Sequence, residues 1–361
     1  SSRGEQPVAE GQKAPERSSA EQQRAAVAKA PGVADQVPAA AEAFQAAVNE
    51  AVVGQERIVR LLTIALFARG HVLLEGDVGV GKTTLLRSVA RALGGRYERI
   101  EGTVDLMPGD LVYHSFLDED GRPRVEPGPL LQAGEDLAVF FFNEINRARP
   151  EVHALLLRVM AERTLNAFRR DWSFPDLTIF ADRNRIEREE TFELPAAARD
   201  RFLMELTVET PTDAETRRRL LFDPVFHDTD ALVASVPAAV LDHTQLATVA
   251  AAIQRGVRGS AAIERYVLAL WDAVRFPADA GLAVEGVDIG RAVAAGASPR
   301  GMSYLVRAAR VRAWLEGRAE KPRKTAAALF RPVMLSHAIE DRDLEKLDPG
   351  DYAAEWKWDG I

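Results

Sequence analysis

Residues 76–83 read Gly-Asp-Val-Gly-Val-Gly-Lys-Thr, a glycine-rich loop of the form GxxxxGK[ST]. The apolar run Val72-Leu73-Leu74 precedes it, and the helix-like stretch Thr84-Leu85-Leu86-Arg87-Ser88-Val89-Ala90 follows. A strand, a glycine turn and a helix N-terminus together aim backbone N–H groups at an anion, and the glycines let the backbone approach it closely. In such a loop Lys82 reaches the β- and γ-phosphates of a nucleoside triphosphate and the Thr83 hydroxyl takes a place on Mg²⁺. Gly76, Asp77, Val78, Gly79, Val80, Gly81, Lys82, Thr83 and Thr84 are therefore the expected nucleotide-binding residues, with ATP and Mg²⁺ as ligands.

Hydrolysis needs a second group. The run Phe140-Phe141-Phe142-Asn143-Glu144 places two polar residues after a buried apolar strand, the position from which carboxylates hold Mg²⁺ and polarise water. Glu144 is the expected general base. Asn143 stands where an acid would carry charge, so it is expected to reach the metal only through a water, with weaker Mg²⁺ affinity. An exposed Asn-Glu pair at a strand end is the plainer alternative.

These residues need a sheet to hold them. Apolar runs at 72–74, 97–100, 137–142 and 177–181 alternate with helical stretches at 83–93 and 150–162, which predicts an α/β fold with a parallel sheet covered by helices on both faces. Upstream, helices are expected over 39–51 and 56–69. Hairpins are expected at 112–125, turning at 118–121, and at 164–174. After Pro211 the pattern becomes helical only, at 213–222, 242–255, 260–275, 287–295 and 299–316, a small all-α domain. The expected divisions are a disordered or loosely helical tail over 1–36, a nucleotide-binding domain over 37–210, a helical domain over 211–320 and a distinct segment over 321–361.

Composition narrows the class. A net charge of −8, from 54 acidic and 46 basic residues, gives no bulk nucleic-acid coat. No apolar run approaches the ~20 residues of a membrane span, so membrane insertion is not expected. The chain has no cysteine, which excludes thiolate metal sites and suits a reducing cytoplasm. Six histidines show no metal-ligand spacing.

The stretch from about 40 to 316 resembles the MoxR family of AAA+ ATPases. The matching text is VVGQE at 52–56, GHVLLEGDVGVGKT at 70–83, FFNEINRARPEVHALLLRVMAER at 141–163, ETFELPAAARDRF at 190–202 and GASPRG at 296–301. The resemblance implies a P-loop sheet followed by an α-helical lid. It also implies that Gly54 and Gln55 pack around the adenine, and that Asn184 is the polar sensor beside the γ-phosphate. Arg201 would be the finger inserted by a neighbouring subunit, and Arg300 the second sensor on the lid. Where the family often reads Ala-Thr-Gln-Asn-Pro, this chain has Ala181-Asp182-Arg183-Asn184-Arg185. A finger implies a ring, by resemblance a hexamer, acting as a chaperone-like remodeller with a von Willebrand factor A domain protein as its partner.

Residues 328–361 carry a different resemblance. RPVMLSH and AEWKWDGI, the latter with the KxDG motif at Lys357-Trp358-Asp359-Gly360, are similar to the opening of the adenylation domain of a bacterial ATP-dependent DNA ligase. In such enzymes the lysine takes AMP from ATP. A segment of 34 residues cannot build that domain's core, so Lys357 is expected to be inert, and nucleic acid would enter only through a longer ligase fusion. A last lid helix with an acidic tail is the alternative. Three readings stay open: an ATPase motor, an ATP-gated assembly module in which Asn143 makes hydrolysis negligible, and the accessory ATPase of a ligase fusion.

Overall fold

The computed structural model describes residues 33–317, apart from 78, 185–191, 193 and 278–295, with side chains from Pro38 onward. Five strands form one parallel sheet: β1 (His71–Glu75), β2 (Arg96–Glu101), β5 (Leu137–Asn143), β8 (Thr178–Arg183) and β9 (Phe202–Thr207), in the order β2-β5-β8-β1-β9. The order reverses beside β1, and a parallel sheet opens its ligand crevice at that reversal, at the carboxyl ends of the strands. The loop at 76–83 leaves β1 at this point.

Period-two alternation sorts the strand side chains into two cores. Val72, Leu74, Phe141 and Phe180 pack with α1 (Val33–Ala51), α2 (Glu56–Phe67) and α3 (Lys82–Leu93). Leu73, Phe140, Phe142, Ile179 and Ala181 pack on the other side with α4 (Pro150–Glu162). The six apolar residues of β5 are all buried, as a strand covered on both faces requires.

Two strand hairpins stand apart from the sheet. β3 (Tyr113–Leu117) pairs antiparallel with β4 (Pro123–Pro127), and β6 (Thr164–Ala167) with β7 (Arg170–Ser173). The second turns through Phe168 and Arg169, both at positive φ (54° and 57°), the backbone twist that suits a two-residue hairpin. Tyr113 and Phe168 meet edge to face with ring centroids 6.2 Å apart. Phe116, Leu117, Val125 and Phe168 are exposed.

The helical part comprises α5 (Ala196–Arg199), which leads into β9, then α6 (Ala214–Phe222), α7 (Thr229–Ser235), α8 (Leu246–Gly256), α9 (Ala261–Arg275) and α10 (Pro299–Leu315). Val249 and Ile253 of α8 and Leu305 and Ala308 of α10 share one buried cluster with α1 and α2. The helical part thus packs behind the sheet as a continuation of its core.

Several expectations need correction. The first helix begins at Val33 rather than Ala39, running through Pro38, which forgoes one i→i−4 hydrogen bond there. β9 was not expected: Glu205 interrupts its apolar run, yet Arg183 and Arg199 neutralise it, with Arg199 at 3.1 Å. Helix α7 was also not expected; Asp228 caps it by accepting from the Ala231 N–H at 2.9 Å. The region 287–295 lies outside the described residues.

His71 ties the sheet to α4 and sets an acid limit. The Ile179 N–H donates to its Nδ1 at 2.9 Å, and its Nε2 lies 3.1 Å from the Met160 carbonyl, so the ring is the neutral Nε2–H tautomer. Burial, followed by the nearby Arg163 cation, lowers its pKa to about 3. Because the folded pKa lies below the unfolded value near 6.5, this contribution is complete above about pH 6.5 and is lost as pH falls toward 3, by up to about 5 kcal/mol. Urea midpoints measured across that window should fall steeply in the native protein and less steeply in His71→Gln. Parallel curves would show that His71 is not the source.

Candidate functional site

The tips of β1 and β8 meet at Lys82, and the tip of β5 joins them through Asp182. The loop before it turns through Gly79 and Gly81, at φ 84° and 87°, a backbone that side chains resist. No atom lies within 4 Å of where a Cβ on either would project, so the loop faces open space. Lys82 opens the 12-residue α3, and Gly81 at its N-cap makes no side-chain cap. The first-turn N–H groups are thus left available for an anion. Thr83 and Thr84 lie half-buried on that turn, Gly76 is buried and Asp77 is exposed. Val80 packs against the core. Val78 lies outside the described residues.

Lys82 itself is buried. Its Nζ donates to the Gly76 carbonyl at 2.8 Å and to Asn184 Oδ1 at 3.2 Å, and lies 2.7 Å from Asp182 Oδ2. Asp182, only 1% exposed, also accepts the Glu144 N–H through Oδ1 at 2.5 Å. Burial pushes the Asp182 carboxyl above the usual carboxylate range, opposed by Lys82 and by the Glu144 N–H.

Glu144 sits in the left-handed region, φ 53° and ψ 50°, a conformation that costs a non-glycine residue about 1–3 kcal/mol and clusters at functional sites. Its Oε1 accepts from Asn184 Nδ2 at 3.1 Å, and Arg147 binds Oε2 at 3.1 Å. The backbone just ahead of this turn is clamped by Gly102, whose N–H donates to the Asn143 carbonyl at 2.7 Å. A Cβ on Gly102 would lie 2.2 Å from the Glu144 carbonyl oxygen.

Asn143 faces the same cluster. With its amide oriented to donate toward the carboxylate, its nitrogen lies 3.2 Å from Asp182 Oδ1 and its oxygen accepts from Arg99 at 3.1 Å. The amide therefore spans Arg99 and Asp182. Gln55 Nε2 donates to the Glu209 carbonyl at 2.7 Å, and a Cβ on Gly54 would lie 2.6 Å from Pro211 Cγ. Both residues hold the passage from β9 into the helical part.

The protein matches the model of the ATPase family associated with various cellular activities (AAA) over residues 71–204, and that of the AAA lid domain over 288–350. Protein MoxR of Methylorubrum extorquens is 63% identical over 300 residues, 83% of this chain and 87% of that protein. Protein MoxR of Paracoccus denitrificans is 60% identical, over 82% of this chain and 89% of that protein. The chain belongs to the MoxR family of AAA+ ATPases. The chaperone MoxR1 of Mycobacterium tuberculosis is 33% identical, over 80% of this chain and 73% of that protein. A solved structure of a candidate ATPase from Cytophaga hutchinsonii shares the fold, with a TM-score of 0.75 and 23% identity, over 94% of this chain and 98% of that one.

In this MoxR-family chain the two expected trans-acting or lid arginines form a second group. Arg300 NH1 lies 2.7 Å from Asp200 Oδ2, and Arg201 follows Asp200 directly. Ser298, the α10 N-cap, also bonds Asp200. Tyr304 Oη donates to the Arg201 carbonyl at 3.4 Å. Arg201 and Arg300 line one cavity of about 340 Å³ together with Arg69, Arg163 and Arg307. Among the described residues of 76–84, none lines it. Burial, with Arg69 and Arg307 beside it, lowers the Arg163 pKa to about 9.

An ion chain joins the residues next in sequence to the two groups. Arg183 of β8 pairs with Glu75 at the tip of β1, at 3.3 Å, and with Glu205 of β9, which in turn binds Arg199 of α5. Asp182 is the site residue that sequence reasoning missed as chemistry. The available signal was alternation: two positions past Phe180, it faces the side of the sheet that α3 covers. Lys357 and the ligase-like segment lie outside the described residues, and the lid match runs over its first part, to residue 350.

Proposed function

We propose that this protein binds and hydrolyses MgATP at interfaces between copies of itself arranged in a ring, by resemblance a hexamer, and uses turnover to remodel a protein partner. The observation that carries the reading is the joined set Lys82, Asp182, Glu144 and Asn184 at the mouth of an open glycine loop. The site fits a triphosphate: open space before Gly79 and Gly81, an uncapped helix start and a buried lysine.

Residues 76–84, Val78 included, would cradle the phosphates, with Gly54 and Gln55 beside the adenine and Thr83 and Asn143 on the metal side. Bound Mg²⁺ would neutralise charge across the phosphates. Glu144 would accept a proton from the attacking water, and Asn184 would orient Glu144. Arg201, grouped away from the chain's own loop, would serve the site of the adjacent copy, and Arg300 would act as the second sensor on the lid.

The naming of a relative as a chaperone supports the remodelling role. Among the described residues no helix is long and apolar enough to cross a membrane. A cytoplasmic location and a von Willebrand factor A domain partner are part of the same proposal. Asn143 favours one rival, an ATP-gated assembly that hydrolyses negligibly.

Phosphate release and light-scattering mass, followed together over a range of protein concentration, test the proposal. The rate per chain should rise as rings assemble. Equal rates in dilute and assembled protein would remove the interface from the mechanism, and ATP-driven assembly without phosphate release would establish the gated rival.

A further inference from the structure

Asn143 and Asp182 exchange the chemistry expected of their two strands. β5 and β8 run parallel with Phe142 opposite Ala181, so the next residues, Asn143 and Asp182, are lateral neighbours. Both follow a residue of the α3-side core by two positions, after Phe141 and Phe180 respectively; Asp182 meets Lys82, and Asn143 meets Asp182. β5 therefore ends in a neutral amide, and β8 carries a buried carboxylate one residue before its end. The Asn143 amide is occupied by Arg99 and by Asp182 itself. An amide so placed brings no charge to a cation and instead fixes the carboxylate beside it.

Asp182 at 1% exposure is stable as an anion because Lys82 is 2.7 Å away. Removing one partner of a buried pair leaves an uncompensated charge, which is strongly unfavourable. Nucleotide phosphates would compete for the same Lys82 ammonium, and a divalent cation bound with them would supply the positive charge that Asp182 then lacks.

We propose that Asp182, reached from β8, is the carboxylate of the Mg²⁺ side of the site, taking the part that Asn143 cannot play, and that Lys82 holds it until nucleotide binds. This rests on the nucleotide-site reading above. It makes the lysine-carboxylate pair a placeholder for the cation and makes Asn143 a positioning residue.

The test is a double-mutant cycle on the full chain, read by electron paramagnetic resonance of Mn²⁺ bound with a non-hydrolysable ATP analogue. ATP-analogue binding in a metal chelator is measured alongside. Asp182→Asn is isosteric and retains an oxygen for the Glu144 N–H. It should weaken Mn²⁺ binding about 10–100-fold without weakening metal-free nucleotide binding. Asn143→Asp should change Mn²⁺ affinity little in the native background and recover most of the loss in the Asp182→Asn background.

Unchanged Mn²⁺ affinity in Asp182→Asn would overturn the proposal. So would an equal gain from Asn143→Asp in both backgrounds, which needs no contribution from position 182. Should Asp182→Asn not fold, as judged by melting without nucleotide, Asn143→Asp alone decides. A large Mn²⁺ gain there overturns the proposal, and little change supports it. Failure of the native chain to bind the analogue even without metal would remove the nucleotide-site reading itself, a result separate from any of these.

Discussion

Arg201→Ala should lower the ATP turnover of the assembled protein about a thousandfold or more, the magnitude at which a finger arginine stabilises transition-state charge, while nucleotide binding is retained. The expectation follows from where the side chain lies. Its NH1 donates to the Ala197 carbonyl at 2.9 Å, and it lines the arginine cavity rather than the loop at 76–84. In the proposed ring its target would belong to another copy. Mixing provides the sharper test: Arg201→Ala keeps an intact phosphate loop, and Lys82→Ala keeps an intact finger. Mixed rings should regain turnover that neither variant has alone. If mixing restores nothing while both variants still co-assemble, Arg201 acts within its own chain or not at all.

Glu144→Gln should lower turnover by about two to four orders of magnitude, the contribution typical of a positioned general base, and leave ATP bound and the ring assembled. Glutamine preserves an oxygen for Asn184 and removes the charge that Arg147 pairs with. Trapped nucleotide, counted per chain after rapid separation, should therefore accumulate as triphosphate rather than diphosphate. An unaltered diphosphate fraction would exclude Glu144 as the base. The strained backbone at Glu144 adds a control: melting without nucleotide should show that the loss of rate is not a loss of fold.

Much of the candidate site's local structure was legible in the sequence. Local signals carry it, because a phosphate loop is contiguous: its glycines, its lysine and the helix that follows lie within a dozen residues. The same holds for β5 and for both hairpins, where continuous apolar runs or turn residues identify the element directly. Helix α4 over 150–162 matches the expectation at both ends, since Pro150 opens it and Arg163 closes it in the left-handed conformation. β9 was lost because Glu205 reads as polar until its two arginine partners, at positions 183 and 199, are brought beside it.

The sequence by itself determined the glycine loop, the buried strands that carry it and the helices that follow, since each depends on neighbours a few residues away. Tertiary structure alone decided which strand tips meet. Whether the carboxylate of Asp182 faces Asn143 and Lys82 depends on strand order and register across the sheet. Whether Arg300 joins Arg201 rather than Lys82 depends on how α10 docks on the turn at Asp200. Those placements are fixed by burial of distant apolar faces against one another, and no local pattern encodes such a sum.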